Sequence, residues 1–378
     1  MHVNIISDNA VSPNFSSNDL STTCAYPLSI LLDDGSVCSV YREGPSKHSP
    51  DSRLVMQTSI DSGVSWSNPR VIFDGQKRTP KLTVVCSGVC QTKDQELLVV
   101  FGAIEGLKPD VYMFDEEGRK LPHFILMIRS SDGGLTWSEP KSVPHPNLLN
   151  AGVTSSPFTL ADGQLCIPLE YKLKPEGPNG TAMVFSQDNG ETFEAPIIVA
   201  SDESGKLNLC DARFATLPNG QLIALLWTFD QDTEETIEVR SCFSSDGGRH
   251  WTEPQKIGFV GQITVPLVCS DEKMLAVSNY RLPPEGIQLW GSVDAGQSWG
   301  GQGPIQMWDR ATSQVIGQPI EFEEVAVENE GIWDALDRFT FGTPDLVNMN
   351  NGRVLLTYYA TLNGVTHVRA CQFEVKWD

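Results

Sequence analysis

Residues 130–137 read SSDGGLTW, and this octet recurs along the chain as Ser59 to Trp66 (SIDSGVSW), Ser186 to Phe193 (SQDNGETF), Ser244 to Trp251 (SSDGGRHW) and Ser292 to Trp299 (SVDAGQSW). The shared spelling is Ser-x-Asp-x-Gly-x-(Ser/Thr)-aromatic, with His250 in the hydroxyl position of the fourth copy. Each copy describes a tight turn: the Asp accepts backbone N–H groups across it, the Gly takes a positive φ, and the aromatic ring packs beneath the flanking strands. Pro69, Pro140, Pro196 and Pro254 follow four of the five copies. These are structural residues, so none of the five aspartates is a candidate for catalysis, and Trp66, Trp137, Trp251 and Trp299 are expected in the core.

Working outward, a second element lies between the octets: an apolar run, a turn, then a β-branched or apolar run. There are six, around Asp34-Gly35, Asp94, Asp162-Gly163, Asn219-Gly220, Asp271 and Asn351-Gly352. Each unit therefore reads as strand A, tight turn, strand B, a longer B–C connection, strand C, the octet turn, strand D. Four antiparallel strands repeated six times predict an all-β, six-bladed β-propeller filling residues 1–378 as one domain. Only five octets accompany six hairpins, as expected if the last blade is closed by both chain ends, the head MHVNIIS and the tail GVTHVRACQFEVKW. Residues 300–340 fit no blade pattern and carry Glu321, Glu323, Glu324, Glu328 and Glu330, so they are expected as an insertion between blades five and six.

Composition narrows the function classes. Forty-eight Asp and Glu against 27 Lys and Arg give a formal charge of −21, which disfavours a nucleic-acid partner. No apolar run is long enough for a membrane span. The start lacks a signal peptide's charged-then-apolar order, so the chain as written is expected to be cytoplasmic, or secreted or periplasmic if a leader has been removed. Nine scattered cysteines fit buried thiols rather than a disulfide scaffold. Cys86 and Cys90 come nearest to a metal pair but lack companions, so no metal or other cofactor is expected.

The octet is the usual form of the Asp-box, and together with the hairpins and the length it resembles the sialidase (neuraminidase) superfamily of six-bladed propellers along nearly the whole chain. Asp-boxes also occur in lyases, arabinanases and non-catalytic propellers, so they carry fold rather than reaction. The resemblance implies three arginines on a substrate carboxylate, a Tyr nucleophile activated by Glu, and an Asp acid/base. Mapped one by one, the first arginine's position, two before Pro27, is Ala25, and the acid/base position in the first B–C loop is Asp51. The Glu position opening blade four is Asp211, the second arginine's is Trp227, the Tyr position before the last strand A is Thr343, and Arg281 is nearest to the third arginine. Several signature residues are therefore replaced.

Blade topology places the octets and A–B turns on one face, leaving the starts of the A strands and the B–C connections around the other tunnel mouth. Three functions fit the groups expected there. A glycoside hydrolase acting on a terminal acidic sugar would use Asp51 as acid with Asp211 or Glu170 as base, and Arg42, Arg78, Arg213 and Arg281 to bind the anion. Asp211 and Arg213, two apart on a strand, share a face and could equally be an ion pair plugging the tunnel. A uronate lyase would use His48 with Tyr359 or Tyr280. A glycan-binding propeller would use Trp227 and Tyr280 as stacking platforms. A charged second B–C loop (Asp110, Asp115, Glu116, Glu117, Arg119, Lys120) borders the same face or is simply solvated.

Overall fold

The computed structural model describes all residues except 109–120, 173, 175–176, 300, 321–338, 350 and 378. The described residues form six antiparallel sheets in a closed ring, a six-bladed β-propeller. Blade one runs Thr23–Leu31, Val37–Gly44, Arg53–Ser59 and Arg70–Asp74 from the tunnel outward. Blades two to five repeat the order, with strands A at Leu82–Gln91, Leu149–Gly152 plus Phe158–Thr159, Leu207–Thr216 and Thr264–Val268. Strand A of blade six is Phe341–Asn348, and its outermost strand is the N-terminal His2–Ala10, paired with Val365–Lys376. Both chain ends thus close the ring and remove the sheet edge a linear array would leave. Asp8 ion-pairs with Arg369 across that seam, and buried His367 stacks on Phe15 at 4.0 Å and accepts from Arg369 Nη1 at 3.1 Å.

The blades pack face to face, so strand B is covered on both sides. That is why Leu97–Glu105 is a run of eight buried residues without polar alternation. The octets form the C–D turns. In the second, Ser130 Oγ and Thr136 Oγ1 donate to the Asp132 carboxylate at 2.7 and 2.6 Å, Gly134 N–H donates to Ser130 Oγ at 2.8 Å, and Trp137 Nε1 donates to Gly134 O at 3.2 Å. The Thr136 bonds are the main reason its carboxyl is pulled down to about 2. His250 fills the hydroxyl place in the fourth turn, 2.6 Å from Asp246 Oδ2.

The expected insertion starts later than the sequence pattern indicates. Gln302–Asp309 is strand D of blade five, and Gln314–Pro319 adds a fifth strand packed near the closing strand. Its acidic residues 321–338, like the charged loop at 109–120, lie outside the described residues. All nine cysteines are unpaired thiols. No described helix is long and apolar enough to cross a membrane.

Candidate active site

The face away from the octets carries a cavity at the tunnel mouth, lined by the starts of A strands and the ends of B strands. One local device shapes it. In four blades strand A spends one residue more than strand B at the same level: Ala25 to Leu28 against Arg42 to Val40, Val84 to Ser87 against Ala103 to Phe101, Cys210 to Arg213 against Trp227 to Leu225, and Gly342 to Asp345 against Tyr359 to Thr357. Such bulges re-aim a side chain. Three of them do so with a non-glycine residue at positive φ: Tyr26 (58°), Asp211 (46°) and Thr343 (45°), all lining the cavity.

The floor holds two carboxylates. Glu170 Oε2 accepts the Asp211 N–H at 3.2 Å, while its other oxygen accepts from Asn179 Nδ2 at 2.8 Å. One oxygen of each carboxylate and the Cys210 sulfur lie within 4.8 Å of one another. A metal would find three donors here. The surroundings argue otherwise, because Arg213 and Arg281 already act on Asp211 with the charge a cation would bring. Burial raises the Asp211 carboxyl above the usual range, with the two arginines opposing. Burial therefore favours the neutral form of Asp211 beside Glu170.

The four arginines named from sequence have four different fates. Arg42 lines the cavity, but its guanidinium donates to the carbonyls of Val84, Ser46 and Ser49 at 3.0, 2.7 and 2.7 Å. Arg78 ion-pairs with Glu139 and is outside the lining. Arg213 is buried, donates to Asp211 O at 3.1 Å and stands 3.8 Å from Asp211 Oδ1, so the expected ion pair exists and helps to floor the tunnel. Arg281 is held by neutral groups: Nη1 donates to Gln262 Oε1 at 2.9 Å, its guanidinium lies 3.9 Å over the Phe339 ring, and Tyr359 hydrogen-bonds to it. Among the described residues Arg281 makes no ion pair, and its buried Nε has no partner.

The remaining candidates divide similarly. His48 and Trp227 line the cavity, but Trp227 is only 7% exposed, donates Nε1 to Thr236 Oγ1 at 3.2 Å and packs 5.3 Å from Phe229, so it is chiefly wall. Asp51 is exposed and Tyr280 half-buried, and neither is among the lining residues. Tyr359 is fully buried behind Tyr26, whose ring meets it edge-on at 5.5 Å; burial raises its phenol. Tyr26 and Thr343 carried a faint signal, since each precedes a proline at the start of an innermost strand. Gln262 and Gly342, which seat Arg281, carried none.

Residues 111–356 match the sequence family described as BNR repeat-like domain. The chain belongs to that family. It is a BNR propeller of the sialidase superfamily. Among relatives, a sialidase from Clostridium perfringens is 23% identical over 178 residues, 43% of this chain and 46% of that protein, so the BNR propeller matches less than half of that relative's length. A protein of unknown function from Dyadobacter fermentans superposes over 99% of this chain and all of its own, with a TM-score of 0.78 at 20% identity. The Trypanosoma rangeli sialidase bound to 2,3-difluorosialic acid superposes over 93% of this chain and 54% of its own, with a TM-score of 0.63 at 13% identity. At such identities the likeness speaks for the propeller, and the chemistry has to come from the cavity.

Proposed function

We propose that this protein is an exo-acting glycoside hydrolase that releases a terminal acidic sugar, such as a sialic acid or a related anionic residue. The observation that carries the reading is Arg281, a guanidinium whose direct contacts are the neutral Gln262, Phe339 and Tyr359, in the cavity that also holds the Glu170 and Asp211 carboxyls. The buried Nε–H of this half-buried guanidinium has no partner, and an anionic ligand relieves the cost of leaving it so. A carboxylate on the guanidinium fork would gain paired, charge-assisted hydrogen bonds. Arg213 lines the cavity and acts on the buried Asp345 carboxyl of blade six, so charged side chains occupy the innermost strands here, which favours a pocket that takes a chain end over a through-going cleft.

Glu170 and Asp211 are closer than the roughly 5–5.5 Å or more that separates two carboxyls acting on opposite faces of a sugar. They therefore act from one side as a single acid/base. The pair's proton passes to the leaving oxygen, and the pair later recovers one from solvent. This moves the acid from Asp51 to the cavity floor. A lyase is the second reading, favoured by Tyr26 and His48 on one wall with ring centroids 6.5 Å apart, because a base beside a neutralised uronate carboxylate starts elimination.

The test is mass spectrometry of products from sialylated, uronate-rich and sulfated glycans, with Asp211→Asn as control. Products bearing one added water and about 10²–10⁴-fold slower release by the variant are expected. Unsaturated products lacking that water would establish the lyase. No cleavage of any glycan would leave a binding propeller.

A further inference from the structure

We propose that Tyr26 is a catalytic residue of this cavity, meeting the bound sugar from the side opposite Asp211 and relaying a proton from the attacking water to His48, an assignment that rests on the sugar-hydrolase reading above. Blades one and four face each other across the axis of a six-bladed ring. The bulges of those two blades present Tyr26 and Asp211 to the same cavity from opposite walls. A ligand seated between them has the carboxylate pair on one side and a phenol on the other. Displacement at a sugar carbon needs groups so divided, one for the leaving oxygen and one for the incoming oxygen.

The backbone at Tyr26 gives a second, independent reason. A bulky residue at φ 58° is a conformational outlier, and a residue before proline is steered further from helical geometry, left-handed or right-handed. Such strain costs on the order of 1–3 kcal/mol and persists where the surroundings over-determine it, commonly at functional sites. The bulge itself does not demand it: the equivalent irregularity between Val84 and Ser87 in blade two is made without any left-handed residue. What the strain achieves at Tyr26 is the aim of the side chain. The partly exposed ring meets Tyr359 edge-on, and the His48 ring lines the same cavity with its centroid 6.5 Å from that of Tyr26, near enough for a bridging water to link the two polar ends. Tyr359, fully buried and bonded to Arg281, is left with a supporting role.

In the hydrolytic step the carboxylate pair's proton goes to the glycosidic oxygen as its bond to the anomeric carbon breaks. Water forms the new carbon–oxygen bond. Its proton passes to the Tyr26 oxygen while the phenol proton passes to the His48 imidazole, which later releases it to solvent. One water is consumed and no other co-reactant is required.

The experiment compares wild type, Tyr26→Phe and His48→Gln on 4-methylumbelliferyl glycosides of N-acetylneuraminic, glucuronic and iduronic acids. Affinity for the released sugar is measured alongside by calorimetry. Phe keeps the ring contact with Tyr359, so the expected result for Y26F is a kcat about 10²–10⁴-fold lower with sugar affinity within threefold of wild type. His48→Gln should slow turnover in the same way and provides the reading should Y26F fail to fold. An active wild type with Y26F within threefold of its kcat overturns the role of Tyr26 alone. A wild type inert on all three overturns the hydrolase reading and the assignment with it. Unsaturated products that disappear in Y26F would overturn the hydrolytic reading yet retain Tyr26 as the proton-transfer group.

Discussion

Replacing Gly342 by alanine probes the seat of Arg281 with a single methyl group. A carbon added at this position would stand 2.6 Å from Arg281 Nη2 and 3.3 Å from the Tyr359 hydroxyl, where ordinary contact begins at 3.4 Å. The guanidinium would have to retreat by about 0.8 Å to reach that ordinary contact, with the Gln262 bond at 2.9 Å and the Phe339 face at 3.9 Å restricting its paths. Misplacement of a substrate-positioning group by about 1 Å costs on the order of 10²-fold, or about 2.7 kcal/mol of transition-state stabilisation. Because Arg281 is assigned to the anion in ground and transition states alike, most of the loss should fall on KM rather than kcat. Steady-state kinetics on the acidic substrate, with calorimetric titration of the released sugar, gives both numbers. The clash is with the end of a side chain, but Gly342 also holds a φ of 152° that alanine adopts only under strain of about 1–3 kcal/mol, so the melting temperature should fall as well, and the KM and affinity readings are taken well below it. A Gly342→Ala enzyme with KM and sugar affinity within threefold of wild type would refute the seating of the anion on Arg281.

Two further predictions concern pH. Burial raises the Asp345 carboxyl from 3.8 to about 6, with the Ser29 N–H at 2.8 Å and Arg213 opposing. A raised carboxyl lends stability that is full below about pH 4 and is lost as pH climbs through about 6, so Asp345→Asn should stabilise the protein at pH 8 by up to about 3 kcal/mol and by nothing at pH 4, read from urea unfolding at both values. Burial lowers the His367 imidazole from 6.5 to about 4. Its contribution is present above about pH 6.5 and lost as pH falls through about 4, so His367→Gln should flatten the acid limb of the thermal-stability profile, measured by calorimetry from pH 7 to 4.

The architecture was legible because its signals are local. An octet such as SSDGGLTW specifies its own turn through bonds made within eight residues, and hairpins such as Asn219-Gly220 announce themselves by the backbone they require. Strand D of blade five escaped because the proline after the fifth octet, Pro304, comes five residues past the aromatic rather than three, behind a glycine-rich stretch that hides Gln302–Asp309 in apparent loop composition. The site was legible only in outline. Glu170, Asp211, Arg213, Arg281 and His48 converge as blade topology implies, but how each arginine is held depends on partners from distant chain segments. Arg42 is occupied by carbonyls of its own loop and of blade two, whereas Arg281 is seated by Gln262 and Phe339. Asp51 matched in sequence position, yet the direction a loop residue faces is set by contacts that no local pattern encodes. The reverse happened at Tyr26 and Thr343, where a proline marked the bulge without revealing its purpose; Asp211 has the same backbone and no such mark.

The most direct test of the account is a crystal structure of the Asp211→Asn variant soaked with the acidic sugar that wild type releases. The account predicts the sugar carboxylate on the Arg281 guanidinium, with the ring lying between Tyr26 and the Glu170 side of the cavity. A sugar bound on the octet face, or in the cavity with its carboxylate turned away from Arg281, would contradict it.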